Sequence, residues 1–247
     1  RRELKKIEKQ RVLQASSREK NNTPLVSIVG YTNAGKSTLL KSLTSSDAYV
    51  ADELFATVDS LQRELPIKNI QEPLILSDTV GFIQNLPTTL IESFKSTLLV
   101  ATSADLLIHV VDAATAIPQM HIGTVKSILE QINVSANEIM VFNKIDRLDR
   151  ASLNDLTERY PQALFISSLK NTGIEELLER ISSEIYGEIK QGSFLVEPKD
   201  LEKVNRFGEI LEVINSSNLL LLEISMRSKL IRKLIDLKIM KESENAE

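Results

Sequence analysis

The sequence predicts an α/β protein: a doubly wound, mostly parallel sheet preceded by a helix and followed by a small α+β unit. Three observations predict it. Short apolar runs without polar alternation recur between amphipathic segments from Leu25 to Ile189, the pattern of parallel strands covered on both faces by helices. A glycine-rich loop, GYTNAGKS, stands between the first apolar run and the first amphipathic segment. At Gln191-Gly192-Ser193 the pattern breaks, and a second, shorter series of apolar runs begins.

The elements follow in order. Residues 1–23 read as a basic helix and linker: Arg1 to Gln14 carries thin apolar spacing (Leu4, Ile7, Val12), and SSREKNNTP is polar and turn-rich. The chain opens at Arg1 without a methionine and is expected to be part of something longer. Residues 24–190 form the main domain. Its strands and helices are LVSIV and Lys36–Leu43; PLILSD and Leu90–Val100; LLIHVVD and Val125–Ile132; IMVFN and Leu153–Tyr160; LFISS and Ile174–Ile189. LQRELPI, Leu61 to Ile67, alternates and reads as an edge strand. Residues 191–247 form the small unit: FLVEP, a helix over Leu201–Val213, LLLLEISM, a helix over Ser228–Ile239, and a polar tail, KESENAE, expected to be disordered.

Composition narrows the function classes. The chain has 247 residues, 42% hydrophobic, enough for one substantial core and an appendage. It has no cysteine, which excludes disulfides and thiolate metal sites, and two histidines, which argue against a multi-histidine zinc site. No apolar run approaches the roughly 20 residues of a membrane span, and no signal peptide is visible. A cytoplasmic or organelle-matrix monomer is expected. The net charge of −4 hides an asymmetry. Residues 1–20 hold eight basic residues against Glu3, Glu8 and Glu19, so the remainder is strongly acidic. A basic arm suits contact with phosphate backbones; it suits a solvated charged helix equally.

The motifs carry the chemistry. Gly30-Tyr31-Thr32-Asn33-Ala34-Gly35-Lys36-Ser37, followed by Thr38, is a phosphate-binding loop between a strand and a helix. Its glycines permit a tight turn whose N–H groups converge on anionic oxygens, and the helix N-terminus adds partial positive charge. Lys36 should reach the β- and γ-phosphates, and Ser37 should bind Mg²⁺. Asn143-Lys144-Ile145-Asp146 follows the strand IMVF and selects the base. A carboxylate there accepts from guanine N1–H and the 2-amino group together, donors that adenine lacks. Lys144 would lie along the base and Asn143 would tie the loops together. Ser167-Ser168-Leu169 follows the next strand and would offer a backbone N–H to guanine O6. Asp78 ends the strand PLILSD and should hold Mg²⁺ through a water; in Thr79-Val80-Gly81 the Gly81 N–H can face the γ-phosphate. Phe55-Ala56-Thr57-Val58-Asp59 lies between, and Thr57 is the expected second protein ligand of Mg²⁺ while the γ-phosphate orders the loop. Lys36, Thr57 and Gly81 are the expected catalytic positions. His109, Phe207 and Leu219 to Leu222 read as core.

These elements occur in order over residues 30–170 and specify a GTP-binding switch of the phosphate-loop class. GYTNAGKST, VADELFATVD, DTVGFIQNLP and NKID together resemble the HflX family of translation-factor-class GTPases. FGEILEV…LLLLEISM is loosely similar to that family's small C-terminal region. The resemblance implies a cytoplasmic GTPase that binds the large ribosomal subunit, both rRNA and protein, and splits or rescues stalled ribosomes. It also implies that the basic helix before residue 24 is the end of an amino-terminal helical domain.

Phe82 follows Gly81 where many such switches place a glutamine that orients the attacking water. Phenylalanine makes no hydrogen bond, and slow intrinsic turnover is expected. The resembled family carries an apolar residue there as well. Gln84 reads as an exposed loop residue in preference to a substitute for that glutamine. Two readings stand for Asn33: a polar loop filler, or support for a bound K⁺ that supplies charge where an arginine finger otherwise would. Two rival functions remain. One is a K⁺-dependent GTPase of another pathway, such as tRNA modification or metal uptake. The other is a module that holds GTP without significant turnover.

Overall fold

In the computed structural model, residues 23–44, 62–78, 101–216 and 218–243 are described. The expected helix over Leu90–Val100, the basic arm and the last residues of the tail lie outside them.

The described residues divide into two compact units. One contains the segments up to Leu65 and Leu74–Leu178; the other contains Pro66–Pro73 and the chain from Glu179 onward. The six-stranded sheet is built from β1 (Leu25–Gly30), β2 (Gln62–Ile67), β3 (Ile70–Asp78), β4 (Leu106–Asp112), β5 (Asn137–Asn143) and β6 (Leu164–Phe165). Its order is β2-β3-β1-β4-β5-β6. β1 runs parallel to both β3 and β4, with Ile28 beside Asp78 on one side and beside Ile108 on the other. β4 pairs parallel with β5, and β5 with β6. The strand order reverses at β1, so the loop after β1 opens at the carboxyl edge where such sheets bind ligands. β2 is the edge strand, as its alternation predicts.

The helices of this part are α1 (Lys36–Thr44), α2 (Pro118–Gln131), α3 (Arg150–Arg159) and α4 (Ile174–Tyr186). All six residues of β1 are buried, and β4 is buried up to Asp112, which explains their unbroken apolar runs. Val29 and Leu107 pack with Val125, Ile128 and Leu129 of α2. Phe142 of β5 is fully buried among Val111, Ile122 and Leu156 and stacks on Phe165, centroids 5.4 Å apart. Truncating such a ring to alanine costs about 3–5 kcal/mol. His109 is the core histidine expected: it is 1% exposed, with Nδ1 3.1 Å from Glu138 Oε1.

Two boundaries differ from the sequence reading, each for a local reason. α2 begins seven residues before Val125, because Pro118 occupies its first turn and fixes φ there. α4 ends at Tyr186 and not Ile189. Gly187 follows in the left-handed region at φ 81°, and its N–H donates to Ser183 O at 2.8 Å, a glycine helix stop.

The second unit holds an antiparallel sheet of β7 (Ile189–Val196), β8 (Gly208–Ser216), β9 (Leu219–Arg227) and β10 (Met240–Glu242), in the order β10-β7-β9-β8, with α5 (Leu201–Asn205) and α6 (Ser228–Asp236). Here the reading is corrected at three places. The helix expected over Leu201–Val213 is one short turn, and Gly208–Ser216 is a strand. The helix from Ser228 ends at Asp236. Lys241 and Glu242, assigned to the tail, pair with Leu195 and Phe194. Phe207 and Leu222 are core, as expected, whereas Leu219, Leu220 and Leu221 are only partly buried. The β2–β3 turn belongs to this unit: Gln71 N–H donates to Arg206 O, and Lys233 Nζ lies 3.1 Å from Glu72 Oε2 and 4.9 Å from the Phe207 ring centroid.

Candidate functional site

The described site residues converge where β1, β3, β4, β5 and β6 end. The loop from Gly30 to Gly35 turns back on itself, with Asn33 in the left-handed region at φ 61° and the Ala34 N–H donating to Tyr31 O at 3.3 Å. Asparagine tolerates that conformation better than most residues. Gly35 sits at φ 94°, and a Cβ there would lie 2.3 Å from Asn143 Nδ2, so only glycine fits. α1 begins at Lys36, which places Lys36, Ser37 and Thr38 in its first turn.

Lys36 is 7% exposed, and its Nζ donates to Tyr31 O at 3.0 Å. Burial pulls its pKa down to about 8; Asp78 opposes that shift and Lys144 adds to it. A buried ammonium that wants a counter-charge suits an anionic ligand. Ser37 Oγ donates to Asp78 Oδ2 at 2.8 Å. A hydroxyl and a carboxylate are hard oxygen donors, the set that suits Mg²⁺ held jointly with phosphates and waters. Among the described residues no cluster of three or more His, Cys, Asp or Glu would hold a metal by itself.

The loops after β5 and β6 are tied to the loop after β1 by Asn143, which is 1% exposed. Its Nδ2 donates to Ala34 O at 3.0 Å, and its Oδ1 accepts from both the N–H and the hydroxyl of Ser168 at 3.0 Å. Lys144 takes the left-handed region at φ 67°, and its Nζ donates to Asn33 O at 2.5 Å and Asp112 Oδ2 at 2.7 Å. A lysine held there is strained by about 1–3 kcal/mol, which the surrounding contacts must offset. Ile145 opens a short 3₁₀ turn, and its N–H donates to Ile166 O. Asp146 Oδ1 accepts from Ser167 Oγ at 2.5 Å, and this bond chiefly lowers its pKa, so the carboxylate stays ionised. Leu169 is 74% exposed beside it.

Phe55, Ala56, Thr57, Val58, Asp59, Thr79, Val80, Gly81, Phe82 and Gln84 lie outside the described residues. Three features were not read from the sequence. Asp112 ends β4 as Asp78 ends β3, a parallel that was available to pattern reading. The Ser167 hydroxyl holds Asp146, beyond any backbone role. His121 stacks on Tyr31, a contact between residues distant in sequence.

The sequence model of the family described as "50S ribosome-binding GTPase" matches residues 25–144. Over 212 residues the chain is 42% identical to GTPase HflX of Caldanaerobacter subterraneus subsp. tengcongensis, covering 85% of this chain and 48% of that protein. It is 39% identical to GTPase HflX of Escherichia coli over 212 residues, 84% of this chain and 49% of that protein. The chain belongs to the HflX family of GTPases. It spans about half the length of these HflX relatives. Among solved structures, a GTP-binding protein from Sulfolobus solfataricus in complex with GDP matches at TM-score 0.51 and 31% identity, over 71% of this chain and 57% of that one. Era of Aquifex aeolicus bound to GDP.AlF4- matches at TM-score 0.54 and 22% identity, over 64% and 56%, and shows the shared α/β fold of phosphate-loop GTPases. Among the described residues no helix is long and apolar enough to cross a membrane.

Proposed function

We propose that the protein is a cytoplasmic, monomeric, Mg²⁺-dependent GTPase switch that turns over slowly alone and acts on the large ribosomal subunit, splitting or rescuing stalled ribosomes. The observation that carries the nucleotide part is the Asn143 network. It joins a phosphate loop to an NKID loop, and the two loops suit the two ends of one guanine nucleotide. Asp146, held ionised by Ser167, accepts from the guanine edge. The Ser168 N–H is held by Asn143 Oδ1, so Leu169 is left to offer a backbone N–H to O6, and Lys144 lies along the base. Gly30 to Thr38 wrap the phosphates, with the buried Lys36 ammonium on the β- and γ-oxygens. Ser37 and Thr57 would be the protein ligands of Mg²⁺, and Asp78, which accepts from Ser37 Oγ, would help hold it. When bound, the ion neutralises charge building on the phosphate oxygens. Phe55 to Asp59 and Thr79 to Gly81 are the segments that respond to the γ-phosphate.

The ribosomal part rests on HflX membership and on the family description. Phe82 supports slow unassisted hydrolysis, near the ~10⁻⁴ s⁻¹ scale of small GTPases lacking a helper. The basic arm, residues 1–20, supports contact with rRNA. Co-sedimentation with ribosomal subunits, in GDP and in a non-hydrolysable GTP analogue, tests the target. Turnover with and without those subunits tests the switch. Association and stimulation in the GTP state are expected; fast turnover without ribosomes, or no association, overturns the reading. Asn33 supports a second reading in which K⁺ assists. Replacing K⁺ with Na⁺ lowers turnover if that is so and leaves it unchanged if Asn33 is loop filler.

A further inference from the structure

The second unit keeps one long edge open. β8 is the last strand of the antiparallel sheet, and among the described residues nothing pairs with its outer side. Such edges are usually blunted by lysine, proline or a bulge, because their free N–H and C=O groups accept further strands. The bulge in β8 lies between Ile210 and Glu212. Beyond it, residues 212–216 run in regular register with residues 219–223 of β9 and contain neither lysine nor proline. Val213 stands opposite the fully buried Leu222, yet is itself 47% exposed. Ile214, opposite Leu221, is exposed as well, and successive residues of a strand point to opposite faces. The edge therefore offers apolar surface on both faces. Its charge comes from carboxylates. Glu212 faces Glu223 directly across the two strands, and among the described residues no basic side chain pairs with either. Glu209 is already engaged, accepting from Asn69 Nδ2 at 3.1 Å. Like charges opposed in this way cost stability.

We propose that β8 is a docking edge for an extended basic protein segment, which adds as a further strand with a lysine or arginine opposite Glu212 and apolar side chains beside Val213 and Ile214. Main-chain bonds to the edge supply affinity, and the alternating side chains supply selection. The charge decides between occupants. A second copy would bring the same carboxylates to the same edge and add repulsion, and a nucleic acid is itself a polyanion. A long basic side chain opposite Glu212 instead relieves the opposed pair. The edge contains none of the nucleotide-site residues, so this surface is additional to the switch.

The test uses the full chain and, as probe, a labelled peptide of about ten alternating lysine and valine residues, at roughly physiological salt. Fluorescence anisotropy should show saturable binding. A glutamate–valine peptide of the same length should bind about fivefold more weakly or worse. Glu212→Lys combined with Glu223→Lys should reverse that order. The double substitution keeps like charges opposed, so melting temperature and GTP affinity should match those of the unsubstituted chain. Backbone N-methylation separates strand addition from charge attraction and needs no variant protein. The lysine–valine peptide is methylated at alternate residues, in the two possible sets. One set points its N–H groups at β8 and should abolish binding; the other points them away and should keep it. Binding that survives both sets is charge attraction alone and overturns the proposal. Failure of the unmethylated lysine–valine peptide to bind overturns it too. A chain that dimerises in sedimentation, and stops doing so in Ile214→Asp, assigns the edge to a second copy and likewise overturns it.

Discussion

The two units use sheets in opposite ways. The first is a mostly parallel sheet buried on both faces, and the described candidate site residues lie at the carboxyl ends of its strands, in the loops that follow or in the first turn of α1. The second is an antiparallel sheet with an edge strand, β8, on which Leu211, Val213 and Ile214 are 49%, 47% and 44% exposed. The difference shows where chemistry can be placed. A buried parallel sheet aligns several strand ends along one rim, so short loops far apart in sequence reach one ligand. In the antiparallel sheet neighbouring strands end at opposite edges, so successive connections fall on both edges and the strand ends do not line one rim.

Lys36→Ala is the strongest way to break this contrast. Losing one charged donor at the transferring phosphate should cost about 10²–10³-fold in turnover, measured by phosphate release, with little change in melting temperature. Asp146→Asn should weaken GTP by about 10²-fold and shift preference toward xanthine nucleotides, because the donor–acceptor pattern inverts. Competition binding with both nucleotides checks it.

The buried lysine gives a pH signature. Burial holds its pKa at about 8, below the ordinary value. Bound phosphate should raise it, so binding takes up protons. Affinity is then fully present below pH 8 and falls by up to about tenfold per unit above it, until the bound-state pKa is passed. Calorimetry in buffers of different ionisation enthalpy reads the uptake, and none at pH 8–9 would contradict this.

Asp112→Asn removes the carboxylate 2.7 Å from Lys144 Nζ. The pair is partly exposed, so GTP and GDP should both weaken by only about threefold to tenfold. The smallest effect belongs to the second unit. Glu212 faces Glu223 across β8 and β9. Glu212→Thr should raise stability by about 0.2–1 kcal/mol and leave nucleotide affinity unchanged. A change in GTP binding there would show that the second unit is more than scaffold.

The first unit was legible because its signals are local and mutually consistent. GYTNAGKS, the strand-ending Asp78 and NKID each occur in the element order their chemistry needs. β8 was misread because Phe207, Ile210, Leu211 and Ile214 are spaced as one face of a helix. The structure resolves that spacing with a bulge between Ile210 and Glu212, one extra residue that changes which side chains share a face. Asp112 and His121 were missed because their partners, Lys144 and Tyr31, are brought to them only by the fold.

Asn143 has a consequence for how the protein becomes active. Its side chain bonds partners 109 and 25 residues away, at Ala34 and Ser168. Contacts of such sequence separation form late, after the loops between them have closed. The nucleotide pocket is therefore absent from any intermediate in which β1, β5 or β6 is still unformed. Once the chain is complete, the ligand adds RT ln(1 + [L]/Kd) to the stability of the whole first unit and not to one loop. A GTP-binding domain tied together in this way should resist unfolding best while nucleotide is bound.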